Sequence, residues 1–195
     1  MHVKDQPIPL LSGVMVLLLA TLFFTGEQVS RWCQYDRAAI LHGEWWRIFT
    51  AHFIHFGWGH LTINVMGFLL VLYLFREQRS VGRWLMGIAG CSLGTGLGLL
   101  IFSPKVDWYL GFSGTGHGLL ALGIIDALGR NRRLAIIAAS LLLAKLLSEM
   151  FGGPSLSTER FINTTVVTAS HLYGAMTGLA VGMALRFRKG SHTVG

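Results

Sequence analysis

The sequence contains little charge, little cysteine and little proline. Charged residues make up 13% of the 195 residues, about half the share typical of soluble domains, while hydrophobic residues make up 52%. Two cysteines, Cys33 and Cys91, are too few for a disulfide framework or a cysteine metal cluster, so we interpret them as packing residues. This composition favours a membrane protein.

The basic residues, which give a net charge of +7, fall in short clusters between apolar runs. That arrangement is typical of membrane topology signals and does not indicate nucleic-acid binding. The runs predict an all-α membrane protein with six transmembrane helices, forming a single domain over residues 1–195. The predicted helices cover residues 8–24, 60–76, 84–102, 113–129, 133–151 and 166–187.

Ten of the 16 basic residues share one predicted side of the membrane, which the positive-inside rule assigns to the cytoplasm. Both termini are then expected there. The opposite side carries a long aromatic connection over residues 25–59, which we expect to lie in the outer interface. The ten residues are Lys4, Arg76, Arg79, Arg83, Arg130, Arg132, Arg133, Arg186, Arg188 and Lys189.

Several polar residues share one predicted depth. At about 1.5 Å per helical residue, Ser113 stands ~25 Å above Arg130, and His171 stands ~22 Å above Arg186. Similar counting puts His60 at ~24 Å, with Asn64 one turn deeper on the same helix face. Polar residues at membrane depth are usually functional. Taken alone, however, the small residues around Ser113 also suit close helix packing.

A serine and a histidine at equal depth are the minimum for nucleophilic catalysis. His60 and Asn64 are candidate oxyanion donors. No carboxylate was expected at that level, so the sequence favours a Ser113–His171 dyad. Lys145 and Glu149, one turn apart in the fifth predicted helix, are expected to form a structural ion pair.

Two alternatives use the histidines differently. Pairs drawn from His60, His117 and His171 could hold a b-type haem axially, which would make the chain a redox protein. Zinc is disfavoured because the sequence lacks an H-E-x-x-H motif and a cysteine–histidine cluster. We therefore expect no metal and no cofactor.

Four motifs give the sequence a resemblance to the rhomboid intramembrane serine proteases from Gly43 onward. They are the W-R element at Trp46 and Arg47, H-x-x-x-N at His60 and Asn64, G-x-S-G at Gly111, Ser113 and Gly114, and H-x-x-G-x-x-x-G at His171, Gly174 and Gly178.

The resemblance implies a membrane protease with Ser113 as nucleophile, His171 as general base, and His60 and Asn64 as oxyanion stabilisers. His117 departs from the family pattern, because many members carry a tyrosine four residues after the serine. A catalytically silent relative that binds transmembrane helices without cutting them is the alternative, although an intact Ser113 and His171 argue against it.

The sequence Gly111–Gly118 and the small size are similar to the rhombosortase subgroup. That likeness implies substrates with a C-terminal glycine-rich motif, a transmembrane helix and a basic tail. The expected location is the bacterial inner membrane, with the active site opening to the external side.

Overall fold

A computed structural model describes residues 8–76 and 80–190 of the chain. Six long helices cover Ile8–Phe24 (α1), Trp58–Leu74 (α5), Val81–Phe102 (α6), Ser113–Ala127 (α7), Arg132–Gly152 (α8) and Thr168–Gly190 (α10). Shorter helices cover Glu27–Cys33 (α2), Arg37–Leu41 (α3), Arg47–Thr50 (α4) and Leu156–Ile162 (α9), with a 3-10 turn at Ala51–Phe53. Tyr35–Asp36 (β1) and Trp108–Tyr109 (β2) pair in an antiparallel ladder.

The helices identify an integral membrane protein. By length and apolar composition, α6 and α8 can each cross a bilayer, and two sharply bent helix pairs raise the count to four if each pair forms one span. The pairs are Pro9–Phe24 with Glu27–Cys33, and Arg47–Phe53 with Trp58–Leu74. Helix α7 has 15 residues, about 22 Å, which is short of a 30 Å hydrocarbon core.

Glycines bring α7 and α10 into backbone contact. A Cβ atom on Gly174 would overlap the carbonyl oxygen of Gly114, and one on Gly178 would overlap the carbonyl oxygen of Gly118. Two helices can approach this closely only when small residues face each other. In the sequence, Gly174, Gly178 and Gly182 recur at intervals of four, which predicts close packing of the last helix on a neighbour, and the structure confirms it.

The long connection between α1 and α5 folds into short helices around a buried arginine. Arg47 donates from Nε to Glu44 at 2.6 Å and from its guanidinium to the carbonyl oxygens of Arg31 and Gln34 at 2.6 and 2.9 Å. The Trp46 ring stacks on Trp32 with centroids 5.1 Å apart. Hydrogen bonds of this kind satisfy the backbone of an irregular segment that has no long helix to do so.

The observed helix ends lie close to the predicted ones. The first long helix covers the predicted residues, whereas α10 begins two residues later than predicted and ends at Gly190. Residues 1–7, 77–79 and 191–195 lie outside the described residues, and they include the predicted cytoplasmic residues Lys4 and Arg79.

Candidate active site

The turn that precedes α7 is held in one conformation. Gly111 has φ of +118°, a region that side-chain-bearing residues rarely adopt, and its N–H donates to the carbonyl oxygen of Ala51 at 2.9 Å. Its own carbonyl accepts from the Tyr109 hydroxyl at 2.6 Å. Burial raises the pKa of Tyr109 to about 12, so the hydroxyl keeps the proton that it donates. These bonds fix the start of α7, where Ser113 lies.

Ser113 and His171 are in hydrogen-bond contact. The Oγ atom of Ser113 lies 3.0 Å from Nε2 of His171, although 58 residues separate the two in sequence. Ser113 is the first residue of α7, and His171 lies in the first turn of α10, so the glycine contacts between these helices set the separation. The structure thus brings together the two residues predicted to act as nucleophile and base.

A carboxylate lies on the other side of His171. The Nδ1 atom of His171 is 2.8 and 3.0 Å from the two carboxylate oxygens of Glu149. The expectation that no carboxylate lies at this level is therefore wrong. The predicted ion pair of Glu149 with Lys145 is present, at 2.8 Å, but it accounts for only part of the contacts of Glu149.

The position of Glu149 along its helix was a signal available in the sequence. Glu149 lies 16 residues after Arg133, which places it ~24 Å from that basic cluster, level with Ser113. It was missed because a lysine at i−4 already gave this glutamate a partner. Depth alone also does not indicate which side of α8 faces the bundle.

His60 and Asn64 lie on α5 and are both buried. The His60 ring packs directly over Gly111, close enough that a Cβ there would lie 2.5 Å from Nε2 and from Cε1. Asn64 donates one amide hydrogen to the carbonyl oxygen of His60 at 2.9 Å. An amide has two hydrogens, so a second remains for a ligand in the cavity that both residues line.

His117 stacks on His171, with ring centroids 4.1 Å apart and planes 16° from parallel. Its Nδ1 atom donates to the carbonyl oxygen of Ser113 at 2.8 Å. Rings stacked face to face cannot both direct a nitrogen at one iron atom between them. This geometry argues against axial haem ligation by His117 and His171.

Two further histidines, His52 and His55, lie in the connection between α1 and α5 and are buried near the site. The His55 ring meets the His60 ring edge to face at 5.2 Å, and His52 lies 5.4 Å from the Tyr109 ring. Within the described part of the chain, no group of three or more His, Cys, Asp or Glu residues is arranged to hold a metal ion. Both cysteines are buried thiols, in keeping with a packing role.

A cavity of about 320 Å³ opens beside the Ser113–His171 contact. Its polar wall is formed by the site residues, and its apolar wall includes Ile63, Leu70 and Leu120. The cavity lies between α5 and α8. The cavity thus has a polar end beside Ser113 and an apolar flank.

Comparison with known proteins agrees with this geometry. Residues 42–188, about three quarters of the chain, match the rhomboid domain. The chain belongs to the rhomboid family.

Individual relatives are distant. The rhomboid relative YdcA of Bacillus subtilis (strain 168) is 27% identical over 144 residues, which cover 71% of this chain and 66% of YdcA. Rhomboid protease GluP of the same organism is 24% identical over 79% of this chain and 29% of GluP. Rhomboid-like protein 11, chloroplastic, of Arabidopsis thaliana is 28% identical over 70% of this chain and 51% of its own length. The chain thus spans less than two thirds of each relative's length.

Proposed function

We propose that the chain is a membrane-embedded serine endopeptidase that cleaves near or within the C-terminal transmembrane anchor of exported proteins. The observation that carries the proposal is the 3.0 Å contact between Ser113 Oγ and His171 Nε2 at the edge of the cavity. Membership of the rhomboid family and similarity to a relative named as a rhomboid protease support the same activity.

In the proposed reaction, His171 Nε2 removes the hydroxyl proton as Ser113 Oγ attacks the carbonyl carbon of the scissile peptide bond. The tetrahedral intermediate collapses when the proton passes from His171 to the leaving amine. Water then attacks the acyl-enzyme as His171 accepts one of its protons. When the acyl bond to Ser113 Oγ breaks, His171 returns that proton to the Ser113 oxygen, and the new carboxyl terminus leaves.

His60 and Asn64 are proposed to stabilise the oxyanion of that intermediate. Both line the cavity that contains Ser113, and the free amide hydrogen of Asn64 can donate to a negatively charged oxygen. The packing of the His60 ring over Gly111 fixes its position relative to the turn that carries Ser113. Preorganised donors of this kind stabilise developing charge without moving during the reaction.

We propose that all six long helices cross the membrane, with both termini on the cytoplasmic side. The predicted location is the bacterial inner membrane, and the site is expected to open outward. The basic residues that follow α5 and α7, and those near the end of α10, support this orientation. Helix α7 is short because its polar first turn faces the cavity.

The proposed substrates carry a small-residue cleavage site, such as a glycine-rich motif, before a transmembrane helix and a basic tail. The motif Gly111–Gly118, which resembles the rhombosortase subgroup, suggests this class. The cavity beside Ser113 is lined by apolar side chains on the α5 flank, which supports entry of an apolar segment. A glycine-rich stretch also unwinds from a helix at low cost.

The test is cleavage in liposomes of a helix-anchored substrate with a glycine-rich juxtamembrane motif. We expect the wild type to cut it, and Ser113→Ala and His171→Ala to lose at least ~10³-fold in rate, since the triad residues of serine proteases act as a unit. Ser148→Ala, on the outer face of α8, is the control for handling and reconstitution.

Undiminished cleavage by Ser113→Ala would contradict the mechanism. A wild type that binds the substrate without cutting it would instead identify a silent helix-binding protein.

A further inference from the structure

We propose that Glu149 positions His171, so that the site operates as a Ser113–His171–Glu149 triad. This inference rests on the proposed protease function and adds a residue that the four sequence motifs do not contain. The observation is a continuous chain of contacts: Ser113 Oγ to His171 Nε2 at 3.0 Å, and His171 Nδ1 to both Glu149 oxygens at 2.8 and 3.0 Å.

The carboxylate determines which nitrogen of His171 carries the proton. An ionised carboxylate only accepts hydrogen bonds, so the Nδ1 atom that faces Glu149 must be the protonated one. The Nε2 atom is then left as an acceptor toward Ser113. This is the tautomer that a general base needs, and the same carboxylate stabilises the imidazolium that forms when His171 takes the serine proton.

The position of Glu149 on α8 is that of a core residue. The buried residues of α8 are Ala135, Ala138, Leu142 and Glu149, which follow one helix face at intervals of three, four and seven. Glu149 is 5% exposed, whereas its neighbours Met150 and Phe151 are 61% and 83% exposed. A glutamate in an otherwise apolar stripe occupies a place where an aliphatic side chain would pack better.

Lys145 makes the buried charge tolerable. Its ammonium lies 2.8 Å from Glu149 Oε1, and its side chain is 41% exposed while that of Glu149 is 4% exposed. An unpaired carboxylate at membrane depth would be strongly disfavoured. If the pair were only structural, Glu149 could lie at the surface beside Lys145. Its two oxygens instead point inward to His171, and the lysine reaches in from the cavity side.

The first test compares Glu149→Gln with wild type in the liposome cleavage assay. Glutamine has the same shape but no charge, and its amide can present a donor to Nδ1, which favours the wrong tautomer. We expect kcat to fall on the order of 10²–10⁴-fold while KM and the thermal unfolding midpoint stay near wild type. Ser148→Ala, the adjacent exposed position on the same helix, should retain wild-type kcat.

The second test asks whether Glu149 acts through His171. If it does, the double variant His171→Ala/Glu149→Gln should be no slower than His171→Ala alone, because the positioning residue has nothing left to position. A structural role would instead multiply the two losses. Formate added to Glu149→Ala should restore part of kcat, and this readout holds even if Glu149→Gln folds poorly.

The reaction of Ser113 with a fluorophosphonate probe separates this inference from the proposed function, since the probe needs no protein substrate. A wild type that cleaves and labels, with Glu149→Gln equally fast in both, would overturn the triad and leave the protease intact. A wild type that neither cleaves nor labels would overturn both proposals. Multiplied losses in the double variant, or no rescue by formate in a folded Glu149→Ala, would also overturn the role of Glu149.

Discussion

His171 faces two neighbouring helices that are held against α10 in different ways. On the side of Ser113, α7 and α10 touch through glycines at the level of their backbones, with Gly114 against Gly174 and Gly118 against Gly178. On the side of Glu149, α8 is largely exposed. Of its most apolar 18-residue stretch, 22% is buried, compared with 44% of the corresponding stretch of α6. There the link to His171 is a side-chain hydrogen bond.

The backbone contact on one side of His171 and the side-chain hydrogen bond on the other suit two different requirements of the proposed mechanism. In the proposed mechanism, the distance between Ser113 and His171 must stay constant, and backbone contact between facing glycines leaves almost no freedom to change it. The proposed role of Glu149 is only to hold the orientation of the His171 ring. Two oxygens on a flexible side chain can do this without close packing of the helix backbones.

The substitution expected to have the largest effect on stability breaks the glycine contact. In Gly174→Ala the added Cβ would overlap the backbone of Gly114, so the two helices must move apart. We expect a loss of about 1–3 kcal/mol in the free energy of unfolding. Because misplacement by ~1 Å costs about 10²-fold, kcat/KM should fall by a similar factor. Unfolding in mixed detergent micelles and the liposome assay measure the two effects.

Gly116→Ala is the matched control for stability, because Gly116 lies in the same helix as Gly114 but outside the glycine contact. A Cβ at Gly116 meets no atom within 4 Å, so the change should leave stability the same or raise it by up to about 1 kcal/mol. Equal destabilisation by both substitutions would mean that the glycine contact does not fix the helices. Glu149→Gln should differ from Gly174→Ala in keeping its stability while it loses activity.

A smaller effect on activity is expected from substitution of His117, whose ring stacks on His171. His117→Phe keeps a ring to stack on His171 but loses the 2.8 Å hydrogen bond to the Ser113 carbonyl oxygen. One neutral hydrogen bond is worth about 1 kcal/mol, so kcat should fall by less than about tenfold. Should His117→Phe be as inactive as Ser113→Ala in the same assay, the second imidazole would itself take part in proton transfer.

Counting along the helices from basic clusters was enough to predict that Ser113 and His171 share a depth. It succeeds because helical rise is constant and arginines mark one surface. The glycine repeat of α10 predicted the close packing that brings them together, since small residues are required wherever backbones touch.

Other features depend on information that spacing does not contain. Whether Glu149 points at His171 depends on the rotation of α8 about its axis, and an all-round apolar helix gives no signal for that rotation. The short helices between Glu27 and Phe53 are held together by side chains that bond to distant carbonyl groups, among them Thr50 and the buried Arg47. Such a network depends on tertiary contacts and leaves only the W-R motif in the sequence.

The proposal that His171 activates Ser113 as a nucleophile is tested by finding the residue that a fluorophosphonate modifies covalently. The wild-type protein in liposomes is treated with the probe, digested, and mapped by mass spectrometry, with His171→Ala treated in parallel. We expect a single phosphonylated residue, Ser113, and at least ~10²-fold slower labelling when the imidazole is removed. Modification of another serine, or equal labelling of Ser113 in His171→Ala, would contradict the proposal.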